Sequence, residues 1–300
     1  MPNTHPCTSS GPHDLIPTLP TRFGEKPKKL FPLIMLWFVT TTAIGGPKPN
    51  PAHLIIQAEA SHRPIPVLSL RHPAMDLDMA YRIQRAYVRE KSINETLIGF
   101  KAGLTSKKGQ QKFGLDAPIA GVLLASGKLT GKTTVHKAAF RRPMVETEIG
   151  FIMDATLTQP LSEISILKKS IRAIVPVIEL PDLGFSDMEH LTGLDIIAAN
   201  ACARQFIVGH PQPVDTIDPN KISILLSRDG HPINQGKGRE ALGDQWQAAL
   251  WLVNTMITQG WTIQPGQILL TGALGKMLPG KPGNYMADYG HLGKIEFEIR

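Results

Sequence analysis

Two glutamates stand two positions apart in the otherwise apolar stretch FRRPMVETEIGFIMD, which runs from Phe140 to Asp154. Side chains alternate between the faces of a strand, so Glu146 and Glu148 would project from the same face. That face would contact solvent if the strand were half-buried. Alternatively, side chains about 7 Å apart along a strand can converge on one hard cation. A third oxygen ligand would decide between these two interpretations.

Glu179 is the candidate for the third ligand. It lies near the end of the apolar run IRAIVPVIELPD, where an ionised carboxylate is costly unless it is paired, hydrogen-bonded or bound to a metal. A strand end in contact with solvent is the alternative explanation. Three carboxylates together suit Mg²⁺ or Mn²⁺ and leave coordination positions for water and a chelating substrate.

Lys101 lies between two glycines in LIGFKAGLT, and Gly103 shares its face of the predicted strand. Glycines allow a ligand to approach the backbone closely, although a surface lysine is also common. Beside a metal-bound substrate, Lys101 would pair with a carboxylate or transfer a proton. A second glycine-containing segment, QILLTGALG, resembles a strand that runs into a turn whose backbone amides could meet ligand oxygens.

Short apolar runs separated by Gly and Pro predict several strands and fewer helices. The predicted strands are TLIGFKAGLT, IAGVLLASGKL, the run around Glu146, AIVPVIEL, KISILLSRDG, GQILLTGAL and KIEFEIR; the predicted helices are LIIQAEAS, a helix opened by Asp76 or Asp78, and segments 162–174, 191–205 and 244–258. Asp244 and Gln247 have the spacing of a capping box. Strands outnumber helices without regular alternation, which predicts an α+β fold.

Composition indicates a folded protein with a sizeable core, since 42% of the 300 residues are hydrophobic and 19% are charged. The net charge is +7, but the basic residues are scattered without interleaved aromatic residues, which argues against a nucleic-acid partner. A net positive charge would instead attract a small dianionic substrate. The two cysteines, Cys7 and Cys202, provide neither a disulfide framework nor a thiolate metal site.

Residues 1–53 differ from the rest in being rich in Pro, Thr, Ser and Gly, and we interpret them as a leader or disordered segment. Within them, residues 30–46 form an apolar stretch after a basic flank, as in a signal sequence. The expected location is cytoplasmic, with export or membrane tethering through residues 30–46 as the alternative. Residues 54–300 would form the catalytic domain, with a helical part at 54–95 and a β-rich metal-site core at 96–300.

Four motifs, IGFKAGLTS, RPMVETEIGF, VIELPD and LLTGALGKM, occur in this order from about Ala80 to the C-terminus. Together they resemble the fumarylacetoacetate hydrolase superfamily, and within it the 2-keto-4-pentenoate hydratase and 4-oxalocrotonate decarboxylase branch. The resemblance implies a mixed β-roll core with a helical N-terminal part, and a homo-oligomer. It also implies site residues. They are Glu146, Glu148 and Glu179 as ligands of Mg²⁺ or Mn²⁺, Lys101 as the catalytic residue, and Gly103, Leu104, Thr271, Gly272 and Ala273 as substrate-binding residues.

The implied reaction is the addition of water to a 2-hydroxy-dienoate, giving a 4-hydroxy-2-oxo acid in aromatic-compound catabolism. Decarboxylation of a 2-oxo diacid or hydrolysis of an acylpyruvate would use the same metal site, and a noncatalytic protein that binds 2-oxo acids is a further alternative. The chain departs from the usual pattern of this branch at Ile119 and Ala120, where an acidic residue is typical, and at Arg239 and Asp244.

Overall fold

The computed structural model describes residues 50–130 and 133–300. The apolar stretch at residues 30–46, together with nearly all of the predicted leader, lies outside these residues. Within the two described ranges, no helix is both long enough and apolar enough to cross a membrane.

Six α-helices lie in the described ranges. They are α1 (Pro51–Ala60), α2 (Leu77–Lys91), α3 (Lys107–Lys112), α4 (Ile164–Lys169), α5 (Gly193–Ala198) and α6 (Gln245–Thr258). The first begins at Pro51 rather than at Leu54, because the Asn50 side chain accepts a hydrogen bond from Ala52 N and proline suits the first turn. The predicted helix at 244–258 is confirmed, and the Asp244 side chain caps it by accepting from the backbone N–H groups of Trp246 and Gln247.

Fourteen strands accompany these helices in the same part of the chain. They are β1 (Leu97–Gly103), β2 (Ile119–Leu124), β3 (Lys128–Leu129), β4 (Thr133–Val135), β5 (Met144–Met153), β6 (Ile171–Leu180), β7 (Gln205–Val208), β8 (Gln212–Pro213), β9 (Ser223–Arg228), β10 (His231–Lys237), β11 (Ile268–Leu270), β12 (Leu278–Pro279), β13 (Gly283–Asp288) and β14 (Lys294–Ile299).

The strands form two mixed sheets, which confirms the predicted α+β class. The larger sheet has nine strands in the order β2-β1-β11-β5-β6-β7-β3, with β12 beside β5 and β8 beside β6. The smaller sheet has the order β10-β9-β13-β14-β4. In the larger sheet β1 runs parallel to β11, whereas β5 is antiparallel to both β11 and β6. The strands that carry the candidate site residues are therefore neighbours at the centre of one sheet.

Two predicted helices are shorter than the sequence pattern indicated. The helix predicted at 162–174 ends at Lys169, because the following β-branched run from Ile171 pairs with β5 as a buried strand. The helix predicted at 191–205 ends at Ala198 and is followed by a turn, Asn200–Cys202, in which all three φ values are positive. Tertiary hydrogen bonds of Asn200 and of the Cys202 carbonyl hold this turn.

The two faces of the larger sheet have different roles. Phe100 and Phe151 project from the face that packs against α6 and the residues after it, where they meet Trp261 and Trp246 at ring-centroid distances of 6.4 and 4.8 Å. Because side chains alternate along a strand, the neighbouring Lys101 projects from the other face. That second face holds the candidate site beside a smaller apolar cluster that includes Leu270, Val175 and Val177.

The outer edge of β2 is covered by side chains rather than by another strand. The Ala120 N–H donates to the Tyr81 hydroxyl at 3.1 Å, and the Ala120 carbonyl accepts from Gln84 Nε2 at 2.7 Å. Two residues further on, the Asn200 amide bonds to both backbone groups of Val122. An exposed strand edge can pair with another chain, so these side chains both complete the hydrogen bonding and protect the edge.

Candidate metal centre

The three predicted carboxylates meet where β5 and β6 pair. Glu146 and Glu179 are direct partners in the antiparallel register, and Glu148 lies opposite Val177 on the same face. One carboxylate oxygen from each residue lies within 4.8 Å of the other two. The separation of two positions along β5 and the β5–β6 register are sufficient to bring the three side chains together.

Two of these carboxylates are removed from solvent. Glu148 and Glu179 are fully buried, whereas Glu146 is half-buried. Burial, and then repulsion by Glu146, raises the pKa of Glu148 to about 8, although Lys101 and the Gly272 N–H act in the opposite direction. Burial also raises the pKa of Glu179 well above its ordinary value. Without a cation, burial therefore favours the protonated forms of these two carboxyls more than it would for ordinary glutamates.

Lys101 provides a positive charge beside this cluster. Its side chain is 3% exposed, so the surface position considered for it is wrong. Lys101 Nζ lies 2.6 Å from Glu179 Oε1 and donates to the Ala201 carbonyl at 3.2 Å. Burial alone would lower the pKa of Lys101, but the attraction of the glutamates, chiefly Glu179, outweighs it and raises this pKa.

The donor set fits a divalent cation. Glu148 Oε1 is buried and has no hydrogen-bond partner, which is costly for a polar atom unless another ligand satisfies it. Three carboxylates and one ammonium leave a formal charge of −2 when all four groups are ionised. An all-oxygen set with this charge is the kind of site that Mg²⁺ or Mn²⁺ prefers.

The glycine turn after β11 completes one side of the site. The Gly272 N–H donates to Glu148 Oε2 at 2.8 Å and so fixes the orientation of this carboxylate. Gly272 has φ +105°, and an added Cβ would lie 2.5 Å from Thr105 Cγ2, so glycine is required at this position. The Thr271 hydroxyl lies 2.9 Å from the Ile149 carbonyl oxygen and 2.6 Å from Gln245 Oε1. Thr271 and Gly272 thus hold the turn and Glu148.

The remaining predicted substrate-binding residues are more accessible. Gly103, Leu104 and Ala273 are half-buried, like Glu146. Because β1 and β11 run parallel, with Lys101 opposite Leu270, the C-terminal ends of these two strands meet at the same edge. Gly103, at the end of β1, and Leu104 and Ala273, which follow β1 and β11, therefore lie at the strand ends next to Lys101 and the Gly272 turn.

The residues that depart from the usual pattern of the branch have distinct positions. Ile119 is 2% exposed and pairs with Gly103 across β2 and β1, so an apolar side chain lies beside the predicted substrate-binding strand end. Arg239 is exposed in a short 3-10 turn. Asp244 caps α6, and its other carboxylate oxygen accepts from Asn220 Nδ2 at 2.6 Å.

Two residues that hold the strands and the turn of the site were missed from the sequence. The buried Tyr289 hydroxyl donates to the carbonyl of Val177, the register neighbour of Glu148, and thereby joins the segment after β13 to the strands that carry the candidate site. Asn200 anchors the turn whose next carbonyl accepts from Lys101. Tyr289 lies beside no recognisable motif, and Asn200 lies within the segment 191–205 that was predicted as a helix, so no local signal in the sequence distinguished them.

Comparison with known proteins places the chain in a family, although no protein-family model matches it. The chain is 31% identical over 251 residues to the 2-keto-4-pentenoate hydratase of Paraburkholderia xenovorans (strain LB400), a match that covers 83% of this chain and 93% of that protein. Its fold is similar to that of 4-oxalocrotonate decarboxylase from Pseudomonas putida G7, solved with magnesium and adipate. The TM-score is 0.79 at 23% identity, over 83% of this chain and 96% of that one.

A more distant structural relative is a fumarylacetoacetate hydrolase family protein from Yersinia pestis CO92. The TM-score is 0.52 at 14% identity, over 69% of this chain and 95% of that one. These two structural likenesses concern the fold, whereas the 31% identity extends through nearly the whole of the relative's sequence. The chain therefore belongs to the 2-keto-4-pentenoate hydratase family, as the four sequence motifs predicted.

Proposed function

We propose that this protein is a metal-dependent hydratase, a carbon–oxygen lyase, that adds water to a 2-hydroxy-dienoate of the 2-keto-4-pentenoate type and gives a 4-hydroxy-2-oxo acid. The observation that carries the proposal is the buried three-carboxylate cluster with an ammonium against it, in a chain of this family. A 2-oxo acid offers a carboxylate and an adjacent oxo oxygen, the arrangement that chelates a hard cation.

Glu146, Glu148 and Glu179 would hold Mg²⁺ or Mn²⁺. When bound, the ion would supply Lewis-acid stabilisation of negative charge on the oxygens of the substrate. The protein's part is to keep the three carboxylates in place. It does so through the β5–β6 register and through the hydrogen bond from the Gly272 N–H to Glu148.

Among the protein's own side chains, Lys101 would be the catalytic residue. Its ammonium has three N–H donors, of which one faces Glu179 and one the Ala201 carbonyl. The third would bind a substrate carboxylate or move a proton at Nζ. The raised pKa of Lys101 favours the charged form in the metal-free site, and a bound cation would lower this pKa by offsetting the glutamate charges.

Gly103, Leu104 and Ala273 would contact the substrate, because they are the half-buried predicted residues at the ends of β1 and β11. Thr271 and Gly272 would act on the substrate indirectly, by holding the turn that orients Glu148. The buried surroundings of Lys101 and Glu148 would keep bulk water away from the reacting carbons and strengthen local electrostatic interactions.

The test is consumption of 2-hydroxypenta-2,4-dienoate, followed by ultraviolet absorbance with metal-stripped protein, with and without added Mg²⁺ or Mn²⁺. Metal-restored formation of a 4-hydroxy-2-oxo acid is expected, with loss of turnover in Glu148→Ala and retention in Glu189→Ala, whose side chain is exposed. The absence of metal-dependent turnover of every 2-hydroxydienoate tested would refute the hydratase proposal. Release of CO₂ from a 2-oxo diacid, or of pyruvate from an acylpyruvate, would identify the competing reactions.

A further inference from the structure

The turn Asn200–Cys202 has an unusual backbone. Its three residues have φ values of 55°, 50° and 57°, and none of them is glycine. The left-handed conformation is unfavourable for residues with a Cβ, and asparagine tolerates it better than alanine or cysteine. Three such residues in succession persist only where the surroundings hold them.

The contacts that hold this turn come from both of its ends. Asn200 is 2% exposed, and its amide accepts from Val122 N at 2.7 Å and donates to the Val122 carbonyl at 2.8 Å. At the other end, the Cys202 carbonyl accepts from Asp182 N at 3.0 Å. The turn is therefore fixed to the edge of β2 and to the segment after β6.

The position of the turn also depends on the absence of a side chain at Gly121. A Cβ added there would lie 2.8 Å from the Asn200 carbonyl oxygen and 2.8 Å from Ala201 Cβ. Gly121 is the register partner of Lys101. Register partners in adjacent strands project from the same face, so the turn lies over Gly121 on the face that carries the Lys101 side chain.

The outcome of this arrangement is the placement of one carbonyl. The Ala201 carbonyl accepts from Lys101 Nζ at 3.2 Å, while Nζ also lies 2.6 Å from Glu179 Oε1. These two acceptors direct two of the three N–H groups of the ammonium. With both in place, the direction of the third N–H is fixed relative to the carboxylate cluster.

We propose that Asn200 is a positioning residue that locks this left-handed turn onto β2 and so aims the Lys101 ammonium. The inference rests on the proposed function in so far as Lys101 is the group that meets the substrate. Asn200 acts through the Ala201 carbonyl and touches neither the substrate nor the carboxylates.

Two variants perturb the turn from opposite sides. Asn200→Ala removes both bonds to Val122. Gly121→Ala keeps these groups but introduces a Cβ that pushes the turn away. Gln84→Ala is the matched control, because it removes a buried amide from the same edge of β2, where Gln84 Nε2 donates to Ala120 and Ile197 carbonyls at 2.7 and 3.0 Å.

For dienoate turnover, the expected loss in kcat/KM is about 10- to 100-fold in Asn200→Ala and in Gly121→Ala, since misplacing a reacting group by about 1 Å has effects of this size. Mg²⁺ affinity should stay within about threefold, because the glutamates are unchanged, and the separate kcat and KM values identify the step that is lost. Gln84→Ala should lower the Tm to a similar extent without this loss in kcat/KM. Wild-type kcat/KM in Asn200→Ala and Gly121→Ala, or an equal loss in Gln84→Ala, would overturn the proposal.

Crystal structures of the variants separate this inference from the proposed function. If the wild-type protein fails to consume the dienoate, the proposed function fails, and the inference is judged by the position of Lys101 Nζ alone. Displacement of the Ala201 carbonyl beyond hydrogen-bonding distance of Nζ, with a changed contact to Glu179, supports it. An unmoved ammonium in Gly121→Ala or in Asn200→Ala refutes it, whichever of the two variants folds.

Discussion

Replacing Glu148 by glutamine should stabilise the metal-free protein at neutral pH while abolishing stabilisation by Mg²⁺. Glu148 is fully buried beside Glu146, and its pKa is raised from 4.5 to about 8. Glutamine has nearly the same shape and carries no ionisable proton, and its carbonyl oxygen can still accept from the Gly272 N–H. The change therefore removes the free-energy cost of keeping this acid protonated. It should alter the packing around the side chain by much less.

The magnitude follows from the two pKa values. At pH 7 the unfolded chain has ionised this carboxyl, whereas the folded chain retains its proton. The interval of 2.5 units between 4.5 and 7, at about 1.4 kcal/mol per unit, amounts to about 3 kcal/mol of lost stability. The sign is that of an acid with a raised pKa, whose stability is fully present below 4.5 and falls as pH rises towards 8. At pH 5 the same reasoning leaves under about 1 kcal/mol.

The assay is urea unfolding followed by tryptophan fluorescence, with a chelator, at pH 5 and pH 7. Metal-free Glu148→Gln should exceed the wild-type free energy of unfolding by about 3 kcal/mol at pH 7 and by under about 1 kcal/mol at pH 5. Adding Mg²⁺ at about 100 times its Kd should raise wild-type stability by about 2.7 kcal/mol and leave the variant unchanged. Glu189→Gln, at an exposed position, should stay within about 0.5 kcal/mol of wild type throughout.

Two results would refute this reasoning. One is a metal-free Glu148→Gln protein that is less stable than the wild type at pH 7, which would mean that the ionised carboxylate is accommodated without a metal. The other is a stability difference between variant and wild type that does not grow from pH 5 to pH 7. Such a difference would not arise from protonation of Glu148.

Four further predictions can be checked directly. Mg²⁺ affinity should increase from pH 6 to pH 8, because the ion displaces protons that the buried glutamates retain through their raised pKa values. Calorimetry in buffers of different ionisation enthalpy would detect the released protons. A Kd that does not change with pH would contradict this prediction. Gly272→Ala should lower the free energy of unfolding by about 2 kcal/mol or more and weaken Mg²⁺ binding. In Gly230→Ala, where φ is also positive but an added Cβ would meet open space, the loss should be about 1 kcal/mol and Mg²⁺ binding should be unchanged. Urea unfolding and metal titration would measure both effects. Burial raises the pKa of Cys202 to about 12, so iodoacetamide at pH 8 should label this thiol only after denaturation. Mass spectrometry of the Cys202 peptide would check this, and labelling in the native protein would contradict the prediction. Light scattering should give a multiple of the chain mass, because the family resemblance implies a homo-oligomer, and a monomer mass would contradict it.

The sequence sufficed for those features that depend on spacing within one strand. The common direction of Glu146 and Glu148 follows from strand periodicity, and an otherwise apolar run around Glu179 indicated a carboxylate that needs a partner. The cap at Asp244 likewise follows from residue type and position. In each case the information lies within a few residues of the chain.

Features that depend on long-range contacts were not predictable in this way. The pattern from 191 to 205 is apolar enough for a helix, yet the chain leaves the helix at Ala198 because Asn200 bonds to Val122 and holds a left-handed turn. Similarly, the helix predicted to 174 gives way to β6, whose pairing with β5 brings Glu179 opposite Glu146. Tertiary pairing overrides local helical pattern at both places, and both are places where the site is assembled.

The position of the site within the sheet would link folding to metal binding. Glu148 and Glu179 are held in a hydrophobic sheet by strand register, so they cannot swing into water when no cation is present. Lys101 offsets only one of the three carboxylate charges, so protons or a divalent cation have to neutralise the remaining negative charge. Protons neutralise the carboxylates at a cost that grows with pH, whereas the cation would satisfy the unpartnered Glu148 oxygen as well. The same buried charge that destabilises the metal-free protein would therefore be the source of an affinity for the metal.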